Sequence, residues 1–190
     1  MFDIISSLKT KCNPATLEKT LHLAIEIARE GREGKRIGTF FVVGDEKNVL
    51  NMSRNMILDP LLGHPDDTKR IDDPDMRETI KELSQLDGAF IVSDKGVVIS
   101  ACRYIDSSAK GIELPLGLGS RHVAGASISK ETKAVSIVVS ESSVIRIFIA
   151  GKLVTEIMPE LWLVDKKSIH LKEPYVEEKL MDMKILSKED

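Results

Sequence analysis

One run constrains this chain more than any other: Leu114-Pro115-Leu116-Gly117-Leu118-Gly119-Ser120-Arg121-His122-Val123-Ala124-Gly125-Ala126. Two glycines precede Ser-Arg-His, and the small residues that follow predict the first turns of a helix. A helix start offers unpaired backbone N–H groups and the positive end of the helix dipole, both suited to an anion. Arg121 adds a planar fork of donors matched to phosphate oxygens, and Gly119 lets a ligand approach the backbone closely. Standing alone, the run also fits an ordinary Gly-rich turn with an exposed arginine.

The rest of the chain sorts around this run. Asn13-Pro14 predicts a helix over 14–30, with Asn13 as its cap and Pro14 at its first position. Leu17, Leu21, Ala24, Ile25 and Ala28 fall on one face, and Gly31 closes the helix. Gly38-Thr39-Phe40-Phe41-Val42-Val43 reads as a short buried strand. The stretch 46–68 is of mixed polarity, contains Pro60, Gly63 and Pro65, and reads as loop with short irregular elements. Asp72-Asp73-Pro74 starts a second helix that turns Met76, Ile80 and Leu83 to the core. Residues 89–93 and 97–102 form a hairpin about Asp94-Lys95-Gly96. Two further strands, 134–139 and 144–150, flank Ser140-Glu141-Ser142-Ser143. Gly151-Lys152 turns the chain into a last strand over 153–157. Beyond Pro159, a tail passes Trp162 and reads as a charged helix over about 174–187, placing Val176, Leu180 and Met183 on one side. This order predicts one α/β domain over 1–190, a mixed central β-sheet flanked by helices.

Composition narrows the function. The chain has 190 residues, 42% hydrophobic and 30% charged, with a net charge of −3. That balance describes a soluble globular protein and gives no overall electrostatic footprint for nucleic acid. No apolar run reaches the roughly 20 residues that span a membrane, and residues 1–10 lack a signal-peptide pattern, so a cytoplasmic location is expected. Cys12 and Cys102 are expected to be reduced, Cys102 as a small core residue. The acidic residues Asp66, Asp67, Asp72, Asp73 and Asp75 lack the glycine and terminal glutamate of an EF-hand and fit helix capping on a solvated face. His22, His64 and His170 share no ligand spacing. The basic residues from Arg29 to Arg36 read as a solvated helix end.

Three motifs lie in order: Asp87-Gly88-Ala89, then Gly119-Ser120-Arg121-His122, then Ser140-Glu141. Together they resemble the diadenylate cyclase domain, which carries a DGA motif, a GTRHRAA-like motif and a SEE-like turn at about these separations. The match is best over 81–152, and the Leu114–Gly119 run is most similar to the archaeal branch. The resemblance implies condensation of two ATP molecules to cyclic di-AMP and two pyrophosphates. Two domains meet face to face, each 3′-hydroxyl attacks the α-phosphate of the opposite nucleotide, and Mn²⁺ or Mg²⁺ assists.

The resemblance also implies roles. Asp87 is the carboxylate that activates the 3′-hydroxyl and a metal ligand, beside Gly88. Ser120 and Arg121 hold phosphate oxygens, and His122 orients phosphate or the metal-bound pyrophosphate. Glu141 is a second oxygen ligand of the metal. Gly88, Ala89, Tyr104, Leu118, Gly119, Ser120, Arg121, His122 and Ser140 are the expected nucleotide contacts, with Tyr104 near the adenine. Three residues depart from the family pattern. Ser120 replaces the usual Thr and keeps the hydroxyl. Val123 stands where a second Arg is usual and removes a charged phosphate donor or interface contact. Gly125 replaces Ala inside a helix, at a cost of about 1 kcal/mol unless close packing requires it. Val123 keeps a second reading open: a catalytically weak protein that binds ATP or cyclic di-AMP on the same fold. A self-associating enzyme, in a face-to-face dimer or higher oligomer, is the first.

Overall fold

The structure, a computed structural model, describes residues 10, 12–56, 58–106, 108, 110–159, 174–180 and 183–188. The described residues form α-helices α1 (Pro14–Glu30), α2 (Glu46–Asn51), α3 (Pro74–Leu83) and α4 (Ser120–Glu131) and nine strands. The strands are β1 (Thr39–Val43), β2 (Ser53–Asn55), β3 (Ala89–Val92), β4 (Val98–Ile105), β5 (Val135–Val139), β6 (Ile145–Ile149), β7 (Lys152–Met158), β8 (Tyr175–Leu180) and β9 (Met183–Lys188). They form one sheet in the order β2-β4-β3-β1-β5-β6-β7-β9-β8. Only the central β1–β3 pair is parallel, so the sheet is mixed as expected.

Strand β1 shows why the core has two halves. Successive side chains of a strand point to opposite faces. Phe41 and Val43 join Leu17 and Leu21 of α1 and Met76 and Ile80 of α3 in one buried cluster. Phe40 and Val42 join Val49 of α2 and Ala126 and Ile128 of α4 in another. A strand covered on both sides has no polar face, which is why this run is apolar throughout.

Local signals set the helices. Asn13 Oδ1 accepts from Ala15 N at 3.0 Å and Thr16 N at 3.4 Å, and Gly31 ends α1 at φ 61°. Asp73 Oδ1 caps α3 by accepting from Met76 N at 2.9 Å. Two other acidic residues of this region form ion pairs: Asp72 with Lys19 at 2.6 Å and Asp66 with Lys69 at 3.1 Å. Arg32, from the basic run, clamps α1 to α3 through Glu78 at 2.8 Å and Glu82 at 3.1 Å. Between the two helices, buried Lys81 meets Glu26, Glu30 and Glu78 at 2.8–3.1 Å. Burial by itself lowers its pKa, but the three carboxylates outweigh that and hold it above the ordinary lysine range. Both cysteines are free and buried, and burial pushes both thiols up. No helix among the described residues is long and apolar enough to cross a membrane.

The tail corrects the sequence reading. Residues 175–180 and 183–188 are strands, not a helix, and β9 pairs with the open edge of β7. Ile185 and Leu186 are adjacent and both buried, Ile185 in the main cluster and Leu186 with Val144 and Met158. Burying neighbours on opposite sides is what a strand does and an amphipathic helix does not. The spacing of Val176, Leu180 and Met183 mimicked a helical face, but a β edge offering unpaired backbone groups decided the outcome. Trp162 and His170 lie outside the described residues.

Gly125 is explained by packing. A Cβ there would meet Val138 Cγ2 at 2.9 Å and Ser136 Cβ at 3.4 Å, so the glycine lets α4 lie close on β5. Overpacking of this kind costs roughly 1–3 kcal/mol, and the helical preference of alanine returns about 1. Gly125→Ala is therefore expected to lose about 1 kcal/mol of stability, read as a lower urea midpoint at unchanged slope. A raised midpoint would show that the helix can lift off without cost.

Candidate active site

Register places the site. Phe40 pairs with Ala89 and Thr39 with Val139, so Gly38, Asp87 and Ser140-Glu141 all emerge at one end of the sheet. Helix α4 starts over the same end. Gly119 is its N-cap in extended conformation, φ −81°, with no side-chain cap, and its carbonyl accepts from His122 N at 3.0 Å and Val123 N at 3.3 Å. A Cβ at Gly119 would touch nothing. The fold therefore does not need glycine there, and the position opens onto free space.

Arg121 is the hub. Its Nη2 lies 2.6 Å from Asp87 Oδ1 and its Nη1 lies 3.6 Å from Glu141 Oε1. Both carboxylates are 72% exposed. Gly38 makes the bed for this guanidinium: a Cβ there would sit 2.9 Å from Arg121 Nη1 and 3.2 Å from Glu141 Cγ. Two carboxylates around one guanidinium leave the cluster with an excess of negative charge.

Beside the hub opens a cleft of about 140 Å³. Asp87, Gly88, Ser120 and Arg121 line its polar end, and Tyr104, Phe40 and Met56 supply apolar surface. Arg54 stacks its guanidinium 4.4 Å from the centre of the Tyr104 ring. Arg103, also on the wall, is held by Asn55 Oδ1 at 2.6 Å and the Ser53 carbonyl at 2.8 Å.

The fold itself requires a glycine at position 88. Its φ is +108°, and a Cβ would lie 2.6–2.8 Å from the backbone of Cys102 and Arg103. Cys102 has φ 53°, and the β3–β4 register shifts between Ala89 and Ile91, so β4 bulges against Gly88. The close approach comes from the chain's own backbone, and the bulge carries Arg103 and Tyr104 into the cleft wall.

Asp87, Gly88, Tyr104, Ser120, Arg121 and Glu141 thus gather around one cleft and its rim. Gly119 and the half-buried Leu118 precede the helix start at its edge. Three further expected contacts are engaged within the fold. Ala89 is buried in β3 against the α4-side cluster. Ser140 closes the β5–β6 turn, bonding the Val144 carbonyl at 3.0 Å and Ser142 Oγ at 2.7 Å. His122 is only 7% exposed and points to the sheet, with Nε2 at 3.3 Å from Arg146 Nη1. Sequence reasoning passed over Gly38 as a binding feature, although a glycine immediately before an apolar strand is a signal of close approach. It also passed over Arg146 and Glu156, charges set inside apolar strands.

The fold and site together define an α/β domain in which a helix start meets two carboxylates beside a cleft. Residues 26–153 match the family described as DisA bacterial checkpoint controller nucleotide-binding, and the chain belongs to this diadenylate cyclase domain family. A protein named diadenylate cyclase from Methanocaldococcus jannaschii is 45% identical over 160 residues, spanning 84% of this chain and 50% of that protein. A second of that name, from Haloferax volcanii, is 38% identical over 165 residues, spanning 85% of this chain and 59% of the relative. The chain thus spans only half to three-fifths of the length of these relatives. Among solved structures, a hypothetical membrane spanning protein from Bacillus cereus superposes with TM-score 0.50 at 20% identity, over 76% of this chain and 62% of that one. At that identity the likeness bears on the fold alone.

Proposed function

We propose that this chain is a diadenylate cyclase, converting two ATP molecules to cyclic di-AMP and two pyrophosphates. The observation that carries the reading is the convergence of the three motifs on one guanidinium: Arg121, at a helix start, between Asp87 and Glu141 beside the cleft.

The residues suit the chemistry. Asp87 takes the proton of a ribose 3′-hydroxyl, the freed oxygen bonds to the α-phosphorus of the other ATP, and the bond to the β-phosphate oxygen breaks to release pyrophosphate. Ser120, Arg121 and the N–H groups opening α4 hold phosphate oxygens and meet the charge that develops on them. Tyr104 offers an aromatic face for adenine. The same transfer on the second nucleotide closes the ring.

Mn²⁺ or Mg²⁺ fits the donor set. The carboxylates of Asp87 and Glu141 are hard oxygen ligands, and no group of three or more protein ligands gathers among the described residues. A cation held by one or two carboxylates with water and substrate phosphates matches that arrangement. When bound, it supplies Lewis-acid neutralisation of the phosphate charge.

Cleft size supports self-association. About 140 Å³ is less than the roughly 300–1,000 Å³ that encloses a whole ligand. A nucleotide bound here leaves part of itself outside, for a second loaded copy to meet. ATP as substrate supports a cytoplasmic site of action. Incubation with ATP and Mn²⁺, followed by chromatography, tests the reading: cyclic di-AMP is expected, and ATP binding without turnover would favour the weak binder instead.

Arg121→Ala is expected to weaken both ATP binding and turnover, because one side chain serves phosphate contact and transition-state charge. Val123→Arg restores the usual second arginine at a half-buried position of the same turn and is expected to leave activity unchanged or higher. Steady-state kinetics on both variants check this, and normal binding and turnover by Arg121→Ala would remove the helix-start phosphate site.

A further inference from the structure

Beneath the first turn of α4 lies a charged group that the nucleotide chemistry leaves unused. Arg146 of β6 and Glu156 of β7 face each other across the ladder. Arg146 Nε donates to Glu156 Oε1 at 2.6 Å, and the two side chains are 4% and 1% exposed. A buried ion pair rarely stabilises a fold more than an apolar pair of equal volume, so its use lies in what it orients. Arg146 Nη1 lies 3.3 Å from His122 Nε2. Arginine has donors and no acceptor, so the imidazole must accept. That contact assigns Nε2 the acceptor role, which calls for the tautomer with its proton on Nδ1. Phe148 packs edge-on against the same ring, with centroids 6.3 Å apart. Arg121 and His122 are consecutive helical residues and leave the axis about 100° apart. One reaches out to Asp87 and Glu141, and the other reaches down to the sheet.

We infer that His122 is a positioning residue: the buried Glu156–Arg146–His122 chain sets the rotation of the α4 start and hence where Arg121 stands. Glu156 orients the guanidinium, the guanidinium holds Nε2, and the ring fixes the first turn of the helix. His122 itself brings neither a proton nor a charge to the phosphates. Only the activity readout of this inference rests on the cyclase reading.

The test has two arms on the full chain. Ring-nitrogen NMR of nucleotide-free protein at neutral pH, with His122→Ala for assignment, is expected to show a neutral His122 protonated on Nδ1. An Nε2-protonated ring or an imidazolium overturns the inference, whether or not the protein makes cyclic di-AMP. In the second arm, His122→Ala is expected to lower kcat/KM about 100-fold, the usual consequence of displacing a catalytic group by roughly 1 Å. His122→Gln, which places an acceptor oxygen near the position of Nε2, should stay within about tenfold of wild type. Arg146→Met combined with Glu156→Met removes the pair without stranding a buried charge. Adding His122→Ala to that background should cost no more than about twofold, because the coupling is already lost. A His122→Gln protein as slow as His122→Ala overturns the inference, as does a full His122→Ala loss in the paired background. Should wild-type protein bind ATP without turning it over, the cyclase reading fails, and ATP affinity replaces kcat/KM in the same comparisons.

Discussion

Asp87→Asn protein is expected to bind ATP within a few-fold of wild type and to make almost no cyclic di-AMP. The substitution keeps size and shape and removes the one property the chemistry uses, a carboxylate able to take the 3′-hydroxyl proton. General-base groups contribute ~10²–10⁴-fold, so the rate should fall by at least about 100-fold. Binding should survive because phosphate contacts come from Ser120, Arg121 and the α4 start. The ion pair makes the separation sharper. Asp87 holds Arg121 at 2.6 Å, so a phosphate must compete with that carboxylate for the guanidinium. Asparagine weakens the competitor and also removes one oxygen ligand of the cation, with Glu141 left to hold it, so affinity is expected to stay within a few-fold even as turnover is lost. Titration calorimetry and a product assay on one preparation decide the matter. Retention of more than about a tenth of the rate would remove the assigned role. Parallel loss of binding and turnover would make Asp87 an organiser of Arg121 instead.

The mixed sheet and the grouping of Asp87, Ser120, Arg121 and Glu141 were legible in the sequence for different reasons. The strands follow from local apolar runs, whereas the four residues stand out only because three motifs in order resemble the diadenylate cyclase domain; each motif alone fits an ordinary turn. What was not legible depends on contacts between distant segments. Gly88 reads as a place for a ligand, but its neighbour is the bulged β4 backbone at Cys102, which nothing near residue 88 encodes. His122 reads as a phosphate contact by proximity to Arg121. The helical step between consecutive residues turns it instead toward Arg146, 24 positions away. The tail shows the same limit from the other side. Its short segments carry both a helical and an alternating pattern, and pairing with β7, more than 20 residues earlier in the chain, decides between them. Gly125 falls between the two cases, since a helix interior disfavours glycine and so flags a packing demand. Naming that demand takes the β5 side chains beneath it.

Assembly carries the other large effect. If each protomer holds one ATP and supplies half of a symmetric site, a single copy cannot complete the reaction. The Asp87 and Glu141 carboxylates and the cleft mouth are open to solvent, and a net charge of −3 per chain opposes approach only weakly. A two-fold arrangement is also the commonest closed symmetry. With weak association, the initial rate at saturating ATP should rise with the square of protein concentration at low concentration and become linear once dimers dominate. Each cyclic product needs two attacks, so a dimer with one competent Asp87 can make only the first. Mixing wild-type protein with an excess of Asp87→Asn should therefore suppress cyclic di-AMP by mass action while linear dinucleotide accumulates. The opposite control is Asp87→Asn alone, which should make neither product at an appreciable rate. Initial rates across a protein dilution series, with sedimentation following the assembly state, provide the measurement. Full specific activity in a species shown to be monomeric would rule out the face-to-face reaction. Suppression without linear dinucleotide would mean that the two attacks are not separable, and that both carboxylates must be in place before either bond forms.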